Sequence, residues 1–79
     1  MQAIVTRYHG ATNTQQSRIS ARTQGRKLFV KWDHDLNIDQ NHDAAAYELA
    51  RQLGWDKYGR IVGGGMPDGT GNAYVIVTP

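Results

Sequence analysis

The stretch Ser17 to Trp32, SRISARTQGRKLFVKW, limits the fold more than any other part of the chain. Apolar and polar residues alternate on both sides of one glycine. Ile19 and Ala21 fall on one face of the first arm, and Arg18, Ser20 and Arg22 on the other. In the second arm Leu28, Val30 and Trp32 point inward, while Lys27, Phe29 and Lys31 point outward. A period of two is the mark of a strand with one face buried. Gln24-Gly25-Arg26 supplies the turn, because glycine adopts positive φ without steric cost. The stretch therefore predicts a β-hairpin with one apolar and one basic face.

The remaining elements follow from the same patterns. Gln2 to Tyr8 alternates and is β-branched, so it reads as a strand, and His9 to Gln16 reads as a polar loop. Residues 39 to 53 are the one helical segment, with Ala44, Ala45, Ala46, Leu49, Ala50 and Leu53 as strong formers. His42, Ala46, Leu49 and Leu53 share a face that should pack on a sheet. Gly54 is a natural C′ residue, with Trp55 placed to cover the last turn. Tyr58 to Val62 reads as a short strand, Gly63 to Gly71 as a turn region and Asn72 to Thr78 as the last strand. The expectation is a single α+β domain over residues 1–79. It has an antiparallel sheet of about five strands in the order β-β-β-α-β-β, with the helix packed on one face.

Seventy-nine residues give only a modest core, and the absence of cysteine removes any disulfide framework or zinc–thiolate site. That absence suits a reducing cytoplasm. No stretch has the length of a membrane span, and the N-terminus lacks the charged and apolar regions of a signal peptide, so no membrane association is expected. Charge is unevenly spread. Residues 1–32 hold six cations and no acid, whereas residues 33–79 hold all seven acids and three cations. Such asymmetry points to a basic surface able to meet phosphate or an acidic partner.

Chemically capable side chains are densest in Asp33 to Asp43, DHDLNIDQNHD, with four of the seven acids and two of the three histidines. Asp33, Asp35, Asn37 and Asp39 match calcium-loop positions one, three, five and seven. Ile38 stands where that loop needs glycine, and Ala44 where it needs a bidentate glutamate. His34 and His42 lack the spacing that aims two imidazoles at one ion. The stretch instead reads as the polar start of the helix, with Asn37, Asp39 or Asn41 as the cap and Gln40 three residues after Asn37. His42 is expected to be a packed, hydrogen-bonded histidine, and His34 is left without a structural role.

The run GGGMPDGTG is followed by strand-like residues and contains no GK[ST], so it does not form a phosphate cradle. Its glycines mark a bulge or a close backbone approach, and Pro67-Asp68-Gly69 a turn. Nothing in the pattern sets a nucleophile beside a histidine with a third orienting group. The expectation is a protein without enzymatic activity, cofactor or metal.

What remains is the outward face of the hairpin. Arg18, Arg22, Lys27 and Lys31 surround Phe29, the arrangement by which a sheet places cations on phosphates and a ring on a base. Asn13, with Thr12, Thr14 and Gln15, adds hydrogen-bonding groups from the neighbouring loop. Such a surface suits nucleic acid, or an acidic protein or nucleoprotein partner, with the chain as a monomer or homodimer.

ATNTQQSRISA, DHDLNIDQNHDAAAYELARQLGW and GGGMPDGTGNAYVIV together resemble small uncharacterised proteins carried by bacterial phages, plasmids and integrated elements. The likeness covers nearly the whole chain, and its recurrent pieces are Thr12-Asn13-Thr14, Ser17-Arg18-Ile19, Asp33-His34, Asn41-His42 and Gly64-Gly65. It carries no catalytic assignment. It implies an accessory protein that binds a host or defence component, as anti-CRISPR proteins do, and it names no partner.

Overall fold

The structure, a computed structural model, describes residues Ala3 to Val77, so the expected strand ends at Gln2 and Thr78 lie outside the described residues. Five strands, β1 (Ile4–His9), β2 (Arg18–Thr23), β3 (Arg26–Lys31), β4 (Arg60–Gly65) and β5 (Gly71–Val77), form one sheet. One helix, α1 (Ile38–Leu53), stands between β3 and β4 in sequence, followed by a 3-10 turn at Trp55–Lys57. Every pairing is antiparallel, and the spatial order is β3-β2-β1-β5-β4. The first strand is thus the middle of the sheet. The architecture is the expected α+β one.

α1 lies on one face, mainly over β1 and β2, and reaches β3 and β5. Ile4, Ile19, Ala21, Tyr74 and Ile76 from the sheet meet Ala45, Ala46, Leu49 and Ala50 from the helix in a buried core. Three of the four helical core residues are alanines, so the helix sits close to the strands. Leu28, Val30, Trp32, Leu53, Trp55 and Ile61 border this core and are partly buried. β4 lies beyond the main footprint of α1. The glycines expected to form a turn from Gly63 onward belong in part to this strand, while Tyr58 and Gly59 precede it. Gly63 follows from packing: the Tyr74 ring lies where its Cβ would be.

The Asp33–Asp43 stretch resolves into helix-start chemistry. Asn37 is the N-cap, and its side chain accepts from the Gln40 N–H at 2.8 Å while Gln40 Oε1 accepts from the Asn37 N–H at 3.0 Å. This reciprocal box satisfies two otherwise orphan donors. Asn41 does something different. It is buried, its Oδ1 accepts from the Asp33 N–H at 2.8 Å, and its Nδ2 donates to the carbonyls of Asp33, Leu36 and Asn37. One amide side chain therefore holds the turn between β3 and α1. At the other end Gly54 takes φ 75° and its N–H donates to the carbonyls of Ala50 and Arg51, as a C-terminal glycine should.

Removing the buried hub should cost more than removing the exposed cap. Asn41→Ala removes four hydrogen bonds and leaves the Asp33 N–H and the Leu36 carbonyl without their side-chain partner, and the loss expected is about 2 kcal/mol. Asn37→Ala removes a solvent-exposed cap, for about 1 kcal/mol. Urea titrations followed by circular dichroism would rank the two, and equal midpoints would show that the Asn41 network is not holding the turn.

Candidate binding face

Alternation along each strand assigns every side chain to a face, and the register then aligns the side chains in rows across the sheet. On the face away from the helix one row runs Lys27, Arg22, Val5, Ala73, Gly64. The next runs Phe29, Ser20, Arg7, Gly71, and a third Lys31, Arg18, His9. Arg60, opposite Val77, shares this face. None of the five strands contains a carboxylate. The acids all lie on α1 or in the turns, so charge is divided between the layers of the fold rather than between the halves of the chain. Arg60, from the acidic half, joins the basic face. Arg26, from the basic half, faces the helix and donates to Gln52 Oε1 at 3.3 Å.

The structure brings five of the six expected site residues together. Arg18, Arg22, Lys27 and Lys31 surround Phe29, which is 50% exposed. The Arg18 guanidinium and the Lys27 ammonium each sit 5.0 Å from the Phe29 ring centroid, within cation–π range. Arg18 is directly opposite Lys31, and Arg22 directly opposite Lys27. Like charges so placed across a sheet destabilise it. In addition, Arg18 Nη1 is buried and has no hydrogen-bond acceptor among the described residues. A depression of about 490 Å³ lies beside the ring, lined by Gln15, Gln16, Ser17, Arg18, Phe29 and Lys31. The sixth residue, Asn13, is exposed in the same loop, but it is Gln15 and Gln16 that line the depression. That loop is built on Thr12, whose N–H donates to the Gln15 carbonyl and whose Oγ1 accepts from the N–H groups of Thr14 and Gln15.

Sequence patterning placed Ser20 on this face but missed Arg7, His9 and Arg60. His9 Nε2 and Ser20 Oγ share a hydrogen bond at 2.9 Å, and the imidazole meets the Phe29 ring edge-on at 5.5 Å. Desolvation, then the charges of Arg18, Lys27 and Arg7, hold the His9 pKa below the ordinary histidine value. It therefore adds a neutral hydrogen-bonding ring at neutral pH. The alternation of β1 would have placed Arg7 and His9 opposite Thr6 and Tyr8, had the position of β1 beside β2 been known.

The helix side carries a second concavity. His34 and His42 line one cleft of about 540 Å³ together with Tyr8, Trp32, Met66 and Asn72. His42 is buried, with Nδ1 hydrogen-bonded to Thr6 Oγ1 at 2.7 Å, and desolvation lowers its pKa against the raising effect of Asp39 and Asp43. Tyr74 donates its hydroxyl proton to Asp43 at 2.6 Å, and burial pushes its pKa well up. These are the satisfied partners of a small polar core. Among the described residues no group of three or more His, Cys, Asp or Glu could hold a metal ion. No helix among them is long and apolar enough to cross a membrane.

No family model, curated protein or solved structure matches the chain. The functional reading therefore rests on the geometry of the open face.

Proposed function

We propose that the chain is a non-enzymatic binding protein that acts stoichiometrically on a polyanionic macromolecule, and that its ligand is single-stranded nucleic acid laid across the open face. The observation that carries this reading is the pair of like-charge contacts, Arg18 opposite Lys31 and Arg22 opposite Lys27, on either side of an exposed ring. A fold selected for stability alone would place an acid in such a pair. A phosphate chain supplies the missing negative charge and relieves the repulsion on binding. Arg18, Arg22, Lys27, Lys31 and Arg7 take phosphates, Phe29 stacks on a base, and Gln15 and Gln16 offer amides to base edges.

The test is a fluorescence-anisotropy titration of a labelled random-sequence single strand at several salt concentrations. Neutralising four or five phosphates gives a slope of log affinity against log salt near −3, from about −0.7 per contact. Absence of binding at low salt would discard the reading.

A second reading uses the same cations on an acidic protein surface that ordinarily holds nucleic acid, which would make the chain an anti-defence inhibitor of mobile-element origin. It is favoured by the scarcity of stacking groups, since Phe29 and His9 are the only rings on this face among the described residues. Phe29→Ala separates the two. Loss of a stacked base costs about 1–3 kcal/mol of nucleic-acid affinity, whereas a purely electrostatic protein contact depends little on the ring.

A further inference from the structure

The two edges of the sheet differ. β3 carries Arg26, Lys27 and Lys31, and charges of this kind keep an edge strand from pairing with another chain. β4 reads Arg60-Ile61-Val62-Gly63-Gly64-Gly65, with one charge at its first residue and no side chain on its last three. Its free hydrogen-bonding groups can be assigned. The Met66 N–H donates to the Gly71 carbonyl at 2.7 Å, and the β4–β5 register is constant from Arg60↔Val77 to Gly65↔Asn72. Antiparallel alternation then gives Gly64, Val62 and Arg60 the bonds to β5. The N–H and C=O groups of Ile61, Gly63 and Gly65 point away from the sheet. Beside them on the open face Val62, Val75 and Val77 form an exposed apolar strip.

We propose that β4 pairs antiparallel with β4 of a second copy of this chain, about a twofold axis at Gly63. Gly63 then meets Gly63 of the second copy, and Ile61 meets Gly65 in both directions, so the outward groups of all three residues are satisfied. The charges agree with this partner. β4 begins at Arg60, and the exposed turn after it carries Asp68. Antiparallel pairing lays the Arg60 end of each strand alongside the Asp68 turn of the other, so opposite charges meet at both ends. Pairing through β3 would instead bring cations onto cations. The twofold axis runs perpendicular to the sheet, so both open faces look the same way. The valine strips meet at the centre of one continuous sheet, and the cationic rows flank it. This pairing is independent of what the cationic face binds.

Sedimentation equilibrium of the full chain across the micromolar range tests it, with three arms. The wild type is expected to pass from the one-chain to the two-chain mass, and a one-chain mass throughout would overturn the proposal. Gly65→Pro removes an N–H that faces away from β5, so the hairpin keeps its bonds while the ring blocks the edge. It is expected to abolish the two-chain species, and a variant that dimerises like the wild type would overturn the proposal. The third arm fixes the register. Val62 lies opposite Gly64 of the second copy in a closely spaced, non-hydrogen-bonded pair, and the chain has no cysteine of its own. The V62C/G64C variant should therefore form a disulfide-linked dimer on oxidation, and failure to cross-link would overturn the Gly63 axis even if Gly65→Pro cannot fold.

Discussion

Replacing Lys27 and Lys31 with glutamate is expected to stabilise the fold and to abolish binding of single-stranded nucleic acid. The two substitutions turn both like-charge cross-strand contacts, with Arg22 and with Arg18, into opposite-charge ones. Each such pair is worth roughly 0.2–1 kcal/mol, and the repulsion removed is of similar size. Lys27→Glu also removes the ammonium 5.0 Å from the Phe29 centroid, an exposed cation–π contact worth about 0.5–1 kcal/mol. The gain therefore comes mostly from Lys31→Glu, and a net of about 1 kcal/mol raises Tm by about 4–8 °C for a domain of this size. Binding moves the opposite way. Two phosphate contacts vanish, which flattens the salt slope by about 1.4. The two new carboxylates then repel the strand, for a loss on the order of a hundredfold or more at low salt. Thermal melts and anisotropy titrations on the same samples decide the matter. A double variant that melts higher and binds as well as the wild type would remove this face from any role in binding nucleic acid. A lower melting point would mean that the like-charge pairs are not strained.

The largest loss of stability is expected from a single methyl group. In Gly71→Ala the new Cβ would overlap the carbonyl oxygen of Thr6, a backbone atom of the central strand. Side chains can rotate away from such a clash, but a paired strand cannot move without breaking its ladder. Gly71 pairs with Arg7 at the point where β5 closes onto β1. The cost expected is about 3 kcal/mol, at the upper end for overpacking. A chain of this length has roughly 4–12 kcal/mol in all, so the substitution removes a quarter or more of it, and at the lower end of that range a measurable fraction is unfolded without denaturant. Gly64→Ala is the matched control. Its Cβ meets nothing within 4 Å, and the change should be neutral or slightly stabilising through the unfolded chain. Urea midpoints of the two variants should lie on opposite sides of the wild type or nearly so, and coincident midpoints would refute the steric argument.

The elements legible in the sequence are those whose causes are local. The β2–β3 hairpin is set by strict alternation around Gly25, and α1 by its alanines between Asn37 and Gly54. Arg18, Arg22, Lys27, Phe29 and Lys31 could be placed on one face because period-two alternation needs no knowledge of neighbours. Arg7, His9 and Arg60 could not, since whether they share that face depends on β1 lying between β2 and β5. Gly63 to Gly65 read as a turn because glycine is a poor strand former. Pairing with β5 and the Tyr74 ring over Gly63 override that preference. His34 and His42 reach one cleft only because the Asn41 network sets how α1 leaves β3, and residue spacing holds no trace of that contact.

The strand order also governs how the molecule is made. β1 is translated first, yet one of its two hydrogen-bonding edges is reserved for β5, the last strand described. While the chain emerges from the ribosome, β1, β2, β3 and α1 can assemble, because they are consecutive and in mutual contact. The edge of β1 that will receive Ile4↔Tyr74 to Arg7↔Gly71 stays open until Gly71 to Val77 have cleared the exit tunnel. Joining β5 to β1 is a long-range closure, the slow and exposed kind of step in sheet formation. Closure of the sheet therefore waits for the last of its five strands, and until then the central strand presents an unpaired edge on which a second chain could template.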